Sequence, residues 1–150
     1  MKIKSITLLL GAFFIAFSAF TQKLNDDELK KTGAFLRFDP SEVNLGKISP
    51  DDVTPETGKI EISIYNDGVQ PLILNQVTAC CGTRVDEWSN KPIAPGQKSV
   101  IKVSFRVQPN PNRISRTVTV NSNAVNGSML KVAILGEVAV PSKSNEIRLQ

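Results

Sequence analysis

The chain contains no histidine. That absence excludes Ser-His and Cys-His activation of a nucleophile, and it removes the usual proton shuttle near neutral pH. It also removes the commonest zinc and copper ligand. Cysteine is nearly as scarce, at two residues, Cys80 and Cys81, too few for a structural zinc site. Aromatic residues make up 6% of the sequence, and four of the seven phenylalanines (Phe13, Phe14, Phe17, Phe20) lie in the first twenty residues. The remaining Phe35, Phe38, Tyr65, Trp88 and Phe105 are too few and scattered for a sugar- or base-stacking platform. No run of lysine and arginine forms a phosphate-neutralising patch, so nucleic acid is not an expected partner. No long apolar run occurs after the N-terminal segment.

That segment carries the most informative pattern. Lys2 and Lys4 precede an apolar stretch from Ile6 to Phe17, and Ala19 and Thr21 occupy the −3 and −1 positions before Gln22. This is the layout of a secretory signal peptide over residues 1–21, with an apolar core too short for a membrane span. The expected location is therefore the periplasm or cell exterior, where thiols oxidise. No cysteine follows the cleavage point, so a lipid anchor is not expected. Removal of the leader leaves about 129 residues, enough for one domain with its own core, and lowers the formal charge from +4 to about +2.

Residues 22–33 are polar and read as a flexible spacer. From there to residue 141 short apolar stretches alternate with Pro, Gly, Asn and Asp. Strand candidates are Ala34–Phe38, Glu42–Ile48, Lys59–Tyr65, Leu72–Val77, Ser99–Val107, Ser115–Asn121 and Met129–Val140, with residues 142–150 as a tail. Two strands alternate cleanly. Ile60, Ile62 and Ile64 share one face, as do Ile101, Val103, Phe105 and Val107, the period of half-buried strands. Asn66-Asp-Gly68 has turn composition, and Asn126-Gly-Ser128, although it matches a glycosylation sequon, reads first as a turn. Seven to eight antiparallel strands without a convincing helix predict an all-β sandwich, with a closed barrel as the lesser alternative.

The landmarks then fall in a recognisable order: Phe38-Asp39, Val43-x-Leu45-Gly46-Lys47-Ile48, Ile64-x-Asn66-x-Gly68-x-x-Pro71-Leu72, Cys80-Cys81-Gly82, Trp88, Pro92-Ile93-x-Pro95-Gly96, Val120-x-Ser122-Asn123-Ala124 and Gly136-Glu137-Val138. Over Phe35 to Val140 this resembles the secreted bacterial family called domain of unknown function 1573, abundant in Bacteroidetes. The resemblance implies an immunoglobulin-like sandwich related to the ASPM–SPD-2–Hydin and PapD-like groups, mostly binding or scaffolding modules. The family usually shows Ser-Cys-Gly-Cys-Thr before the Trp. Here Cys81 and Gly82 match its first Cys and its Gly, Thr83 replaces its second Cys, and Cys80 replaces its Ser. The family's thiol pair is thus carried over only to Cys81.

Cys80 and Cys81 are expected where a strand gives way to a loop. Neighbouring Cα atoms lie about 3.8 Å apart, below the usual disulfide range, so a bond between them forms a strained and reducible ring. Three readings stand: structural thiols, a redox pair, or a soft-metal site for Cu(I). Arg84, Asp86, Glu87 and Trp88 form a charged loop suited to partner contact, although a lone Trp there more often closes a core than anchors a partner. The sequence therefore predicts a non-enzymatic binding module for a protein or cell-envelope partner, without catalytic residues, cofactor or metal. The alternative is a small thiol-redox or copper-handling protein using Cys80 and Cys81. A pilus-type chaperone is disfavoured because a one-domain chain lacks the second domain that normally flanks the carboxylate-holding residues. A hydrolase is weaker still, since loop carboxylates such as Asp51, Asp52, Asp86 and Glu87 show no paired partner.

Overall fold

The structure is a computed structural model that describes residues 25–139. The expected signal peptide, its cleavage point and the tail over residues 142–150 lie outside the described residues. Within the expected spacer, residues 25–30 are helical. The spacer carries ion pairs between Lys30 and Asp27 and between Lys31 and Glu28, each one helical turn apart.

Eight strands follow: β1 (Leu36–Asp39), β2 (Glu42–Ile48), β3 (Lys59–Asn66), β4 (Leu74–Ala79), β5 (Thr83–Glu87), β6 (Lys98–Phe105), β7 (Asn112–Ser122) and β8 (Met129–Val138). They form two four-stranded sheets, ordered β1-β3-β6-β5 and β2-β8-β7-β4. The domain is an immunoglobulin-like β-sandwich. One pairing departs from the expected antiparallel set: β2 runs parallel to β8, with a bulge between Asn44 and Lys47. The long connection through Pro50–Asp52 carries the chain from one sheet to the other, so β2 need not pair with its sequence neighbours.

The core lies where the alternation places it. Ile62, Ile64, Ile101 and Val103 of one sheet are fully or nearly fully buried, as are Val118, Val120, Val132 and Ile134 of the other. Each such side chain contributes about 1.5–3 kcal/mol by leaving water. Strand bounds shift where loops compete for the backbone. Leu72, expected to open a strand, instead exchanges hydrogen bonds with Ile93 at 2.9 and 2.8 Å, and β4 starts two residues later. Ala34 and Phe35 precede β1 as buried loop residues whose carbonyls accept from Val125 and Asp67 at 2.8 and 2.9 Å.

Three asparagines pin the loops at this end of the sandwich. Asn66 is fully buried, and its carboxamide donates to Gln70 O (2.7 Å) and Ile93 O (2.9 Å). Its Oδ1 accepts from the N–H groups of Phe35 (3.3 Å) and Gly68 (3.1 Å). Asn123 holds Ile73 N–H at 2.8 Å and Pro71 O at 3.1 Å, and Asn126 spans the N–H and C=O of Leu36 at 3.1 and 2.8 Å. Asn126 Nδ2, the atom a glycan would occupy, is thus engaged by the fold. Gly68 is required by close approach, because a Cβ there would fall on the Gly33 carbonyl.

Candidate functional site

Strands β4 and β5 are the edge strands of different sheets and lie beside each other on one flank of the sandwich. Cys80-Cys81-Gly82 is the turn that joins them. Thr83 N–H donates to Cys80 O at 3.1 Å, closing a four-residue turn whose central residues have φ of 60° at Cys81 and 73° at Gly82. Two positive φ values define a type I′-like geometry; glycine accepts the second without a Cβ penalty, whereas Cys81 is the one non-glycine residue among those described with positive φ. Cys80 extends the β4–β7 ladder by one bond, its N–H donating to Thr117 O at 3.1 Å.

Both thiols are free and exposed, rather than one turned inward as a strand continuing through them would require. Cys81 Sγ lies 2.8 Å from Cys80 Sγ and donates to it. That hydrogen bond holds Cys80 below the ordinary thiol pKa, with added help from Thr117 and the positive charge of Arg116. It pushes Cys81 upward, because the donating proton is lost on ionisation. Among the described residues no group of three or more His, Cys, Asp or Glu side chains is arranged to hold a metal. Among the described residues the two thiols thus gain no further ligand of these types.

The segment after the turn differs from the expected loop. Arg84, Asp86 and Glu87 lie on strand β5, antiparallel to β6, with a register shift between Val85 and Glu87. Val85 packs partly against the core while Arg84 and Asp86 are exposed. The polar residues hid a strand because an edge strand buries only one face, and this one is five residues long. Arg84 Nε donates to Asp86 Oδ1 at 2.6 Å, and Lys102 Nζ to Glu87 Oε2 at 2.8 Å. Ser104 and Arg84 hold the Asp86 carboxyl below its ordinary pKa. Trp88, half-buried, packs against the core and lines an open groove of about 600 Å³ with Glu61, Glu87 and Lys102. The structure thus brings the thiol pair and the charged segment together on one flank, with Trp88 at its far end.

Sequence reasoning missed Arg116. It occupies an inward-facing position of β7, in step with Ile114, Val118 and Val120, and its guanidinium lies 5.5 Å from the Phe105 ring. Phe105 is the cross-strand neighbour of Thr83. Arg116 Nε and Thr83 Oγ1 are the two buried side-chain polar atoms without a hydrogen-bond partner among the described residues. An arginine in the register of buried aliphatics was the available signal.

Comparison with known proteins fits this architecture. Residues 36–138 match the family described as Protein of unknown function (DUF1573). The chain belongs to that family. No functionally curated protein matches it. Among solved structures, a protein of unknown function from Porphyromonas gingivalis W83 shares 16% identity at a TM-score of 0.57, over 73% of this chain and 49% of that one. The secreted serine protease VesC from Vibrio cholerae shares 15% at 0.55, over 81% of this chain and 25% of that one. The VesB protease of the same organism shares 12% at 0.51, over 79% and 35%. The chain spans half or less of each of these proteins, and at such identity the likeness is one of fold. The DUF1573 landmarks Asn66, Gly68, Asn123 and Ala124 are the residues that pin or fill the loops, so much of the family signature describes the sandwich itself.

Proposed function

We propose that the chain is an exported, non-enzymatic binding module that recognises a protein or cell-envelope partner along the flank formed by β4, the Cys80–Thr83 turn and β5. The observation that carries this reading is the free edge of β5, the last strand of its sheet, whose outward backbone groups are available to an added strand. Its exposed Arg84 and Asp86 offer charge selection, and the Trp88 groove lies at its end. Of the carboxylates weighed for a hydrolase, Asp86 pairs with Arg84 and Glu87 with Lys102. With no histidine in the chain, a Ser-His-Asp triad of the protease type cannot be built from it. The export half of the reading rests on the leader pattern in the sequence.

The test is photo-crosslinking in the native envelope with the probe at Arg84, and separately at Lys47 on the opposite edge. A discrete partner captured at Arg84 and not at Lys47 is the expected result. Equal capture at both positions, or none at either, would overturn the assignment of this flank.

A further inference from the structure

We propose that Cys80 and Cys81 form a dithiol site that exchanges with low-molecular-weight disulfides, with Cys80 attacking, Cys81 resolving and Arg116 as the positioning residue. Three observations on different elements converge here. The two sulfurs are exposed and 2.8 Å apart on a turn held by the Cys80–Thr83 backbone bond, so the second thiol is already at the first. Arg116 lies on β7 next to Thr117, whose carbonyl accepts the Cys80 N–H, and its positive charge favours the thiolate of either cysteine. The buried polar atoms left without a protein partner, Arg116 Nε and Thr83 Oγ1, both adjoin Phe105 beside this turn, and a redox or catalytic role is one of the recognised reasons for such groups.

The asymmetry between the thiols assigns their roles. Cys80 receives a hydrogen bond and is the easier to ionise, so it supplies the attacking thiolate. It attacks one sulfur of the substrate disulfide; that S–S bond breaks, and the departing thiolate takes a proton from water. The product is a mixed disulfide on Cys80. Cys81 then gives its proton to water and attacks Cys80 Sγ, expelling the second substrate half as a thiolate. Overall the substrate disulfide gains two electrons and two protons and becomes two thiols, while the protein dithiol becomes one disulfide. The resulting eight-membered ring is readily reopened by thiols, which makes the exchange reversible. None of this depends on the partner-binding role proposed above, and the readout below is chemical rather than associative.

The experiment uses the purified chain with oxidised glutathione, followed by intact-mass measurement after alkylation. The wild type is expected to lose two hydrogens and retain no glutathione. Cys81→Ser should stop at a Cys80–glutathione adduct. Cys80→Ser should react more slowly, by roughly threefold to tenfold, because the remaining thiol lacks the donated hydrogen bond. Arg116→Gln should slow adduct formation in the Cys81→Ser background by about threefold or more, and Arg116→Lys should restore it. Far-ultraviolet spectra establish that each variant keeps the sandwich. Two alkylatable thiols in the treated wild type would overturn the proposal. So would a stable wild-type glutathione adduct, or equal rates for the two single-serine variants. An Arg116→Gln rate equal to that of its parent would remove Arg116 from the site.

Discussion

The Asn66 carboxamide donates a 2.9 Å hydrogen bond to the Ile93 carbonyl, across 27 residues of sequence and without exposure to solvent. The bond ties the end of β3 to the loop before β6, and the same side chain also receives the backbone N–H of Phe35. A buried amide with every polar atom satisfied acts as a fixed junction between loops.

Asn66→Ala should destabilise the domain by about 3–5 kcal/mol, because four hydrogen bonds lose their partner inside the protein. Asn66→Asp should cost at least as much, since it replaces a double donor with a buried acceptor. Urea unfolding midpoints check both. A loss under about 1 kcal/mol would show that water replaces the side chain there.

Gly68→Ala should lower stability by about 2–4 kcal/mol, since the new methyl group falls on the Gly33 carbonyl and the Phe35 amide, which belong to backbone and cannot swing aside. Gly82→Ala tests a different principle, because open space surrounds that position and only its φ of 73° opposes the change. Its cost should be near 1 kcal/mol. The same denaturant titrations should rank Gly68→Ala well above Gly82→Ala.

Acid sensitivity should include a contribution from Asp86. Its folded pKa lies below the ordinary value of 3.8, through Ser104 first and then Arg84. The sign follows directly: the contribution is fully present above about pH 4 and is lost as pH falls through the folded value. Asp86→Asn should therefore lower the unfolding midpoint slightly at pH 7, and by progressively less as pH falls below about 4. A difference that keeps its size as pH falls would show that the carboxylate's charge is not what Ser104 and Arg84 recognise.

Trp88 is the single tryptophan of the chain, so its fluorescence reports on this flank alone. Being half-buried against the core, it should cost about 2–3 kcal/mol on replacement by alanine. Asp86→Pro, placed at the register shift where β5 is least committed to β6, should spare most of the fold while blocking strand addition along the edge. Partner crosslinking from Arg84 should then fall severalfold.

The alternation of Ile60, Ile62 and Ile64, and of Ile101, Val103 and Phe105, was enough to place the core faces of β3 and β6, because period two is a local property of extended chain. The turn composition of Asn66-Asp-Gly68 was equally plain. The roles of Asn66, Asn123 and Asn126 were not, since each depends on backbone groups that lie 27 to 90 residues away. Strand β5 was hidden for the related reason that its outward face is charged and its inward face offers only Thr83 and Val85.

The β-sandwich, its aliphatic core, the exclusion of histidine chemistry and the adjacency of two thiols are all legible along the chain. Tertiary structure decided that β2 runs parallel to β8, that the thiol turn links the edges of two sheets, and that Arg116 lies beside Phe105 at that same flank. The division has a physical cause. Burial periodicity and covalent adjacency are written within a few residues, whereas strand order and the convergence of polar groups arise only when distant segments compete for the same backbone hydrogen bonds.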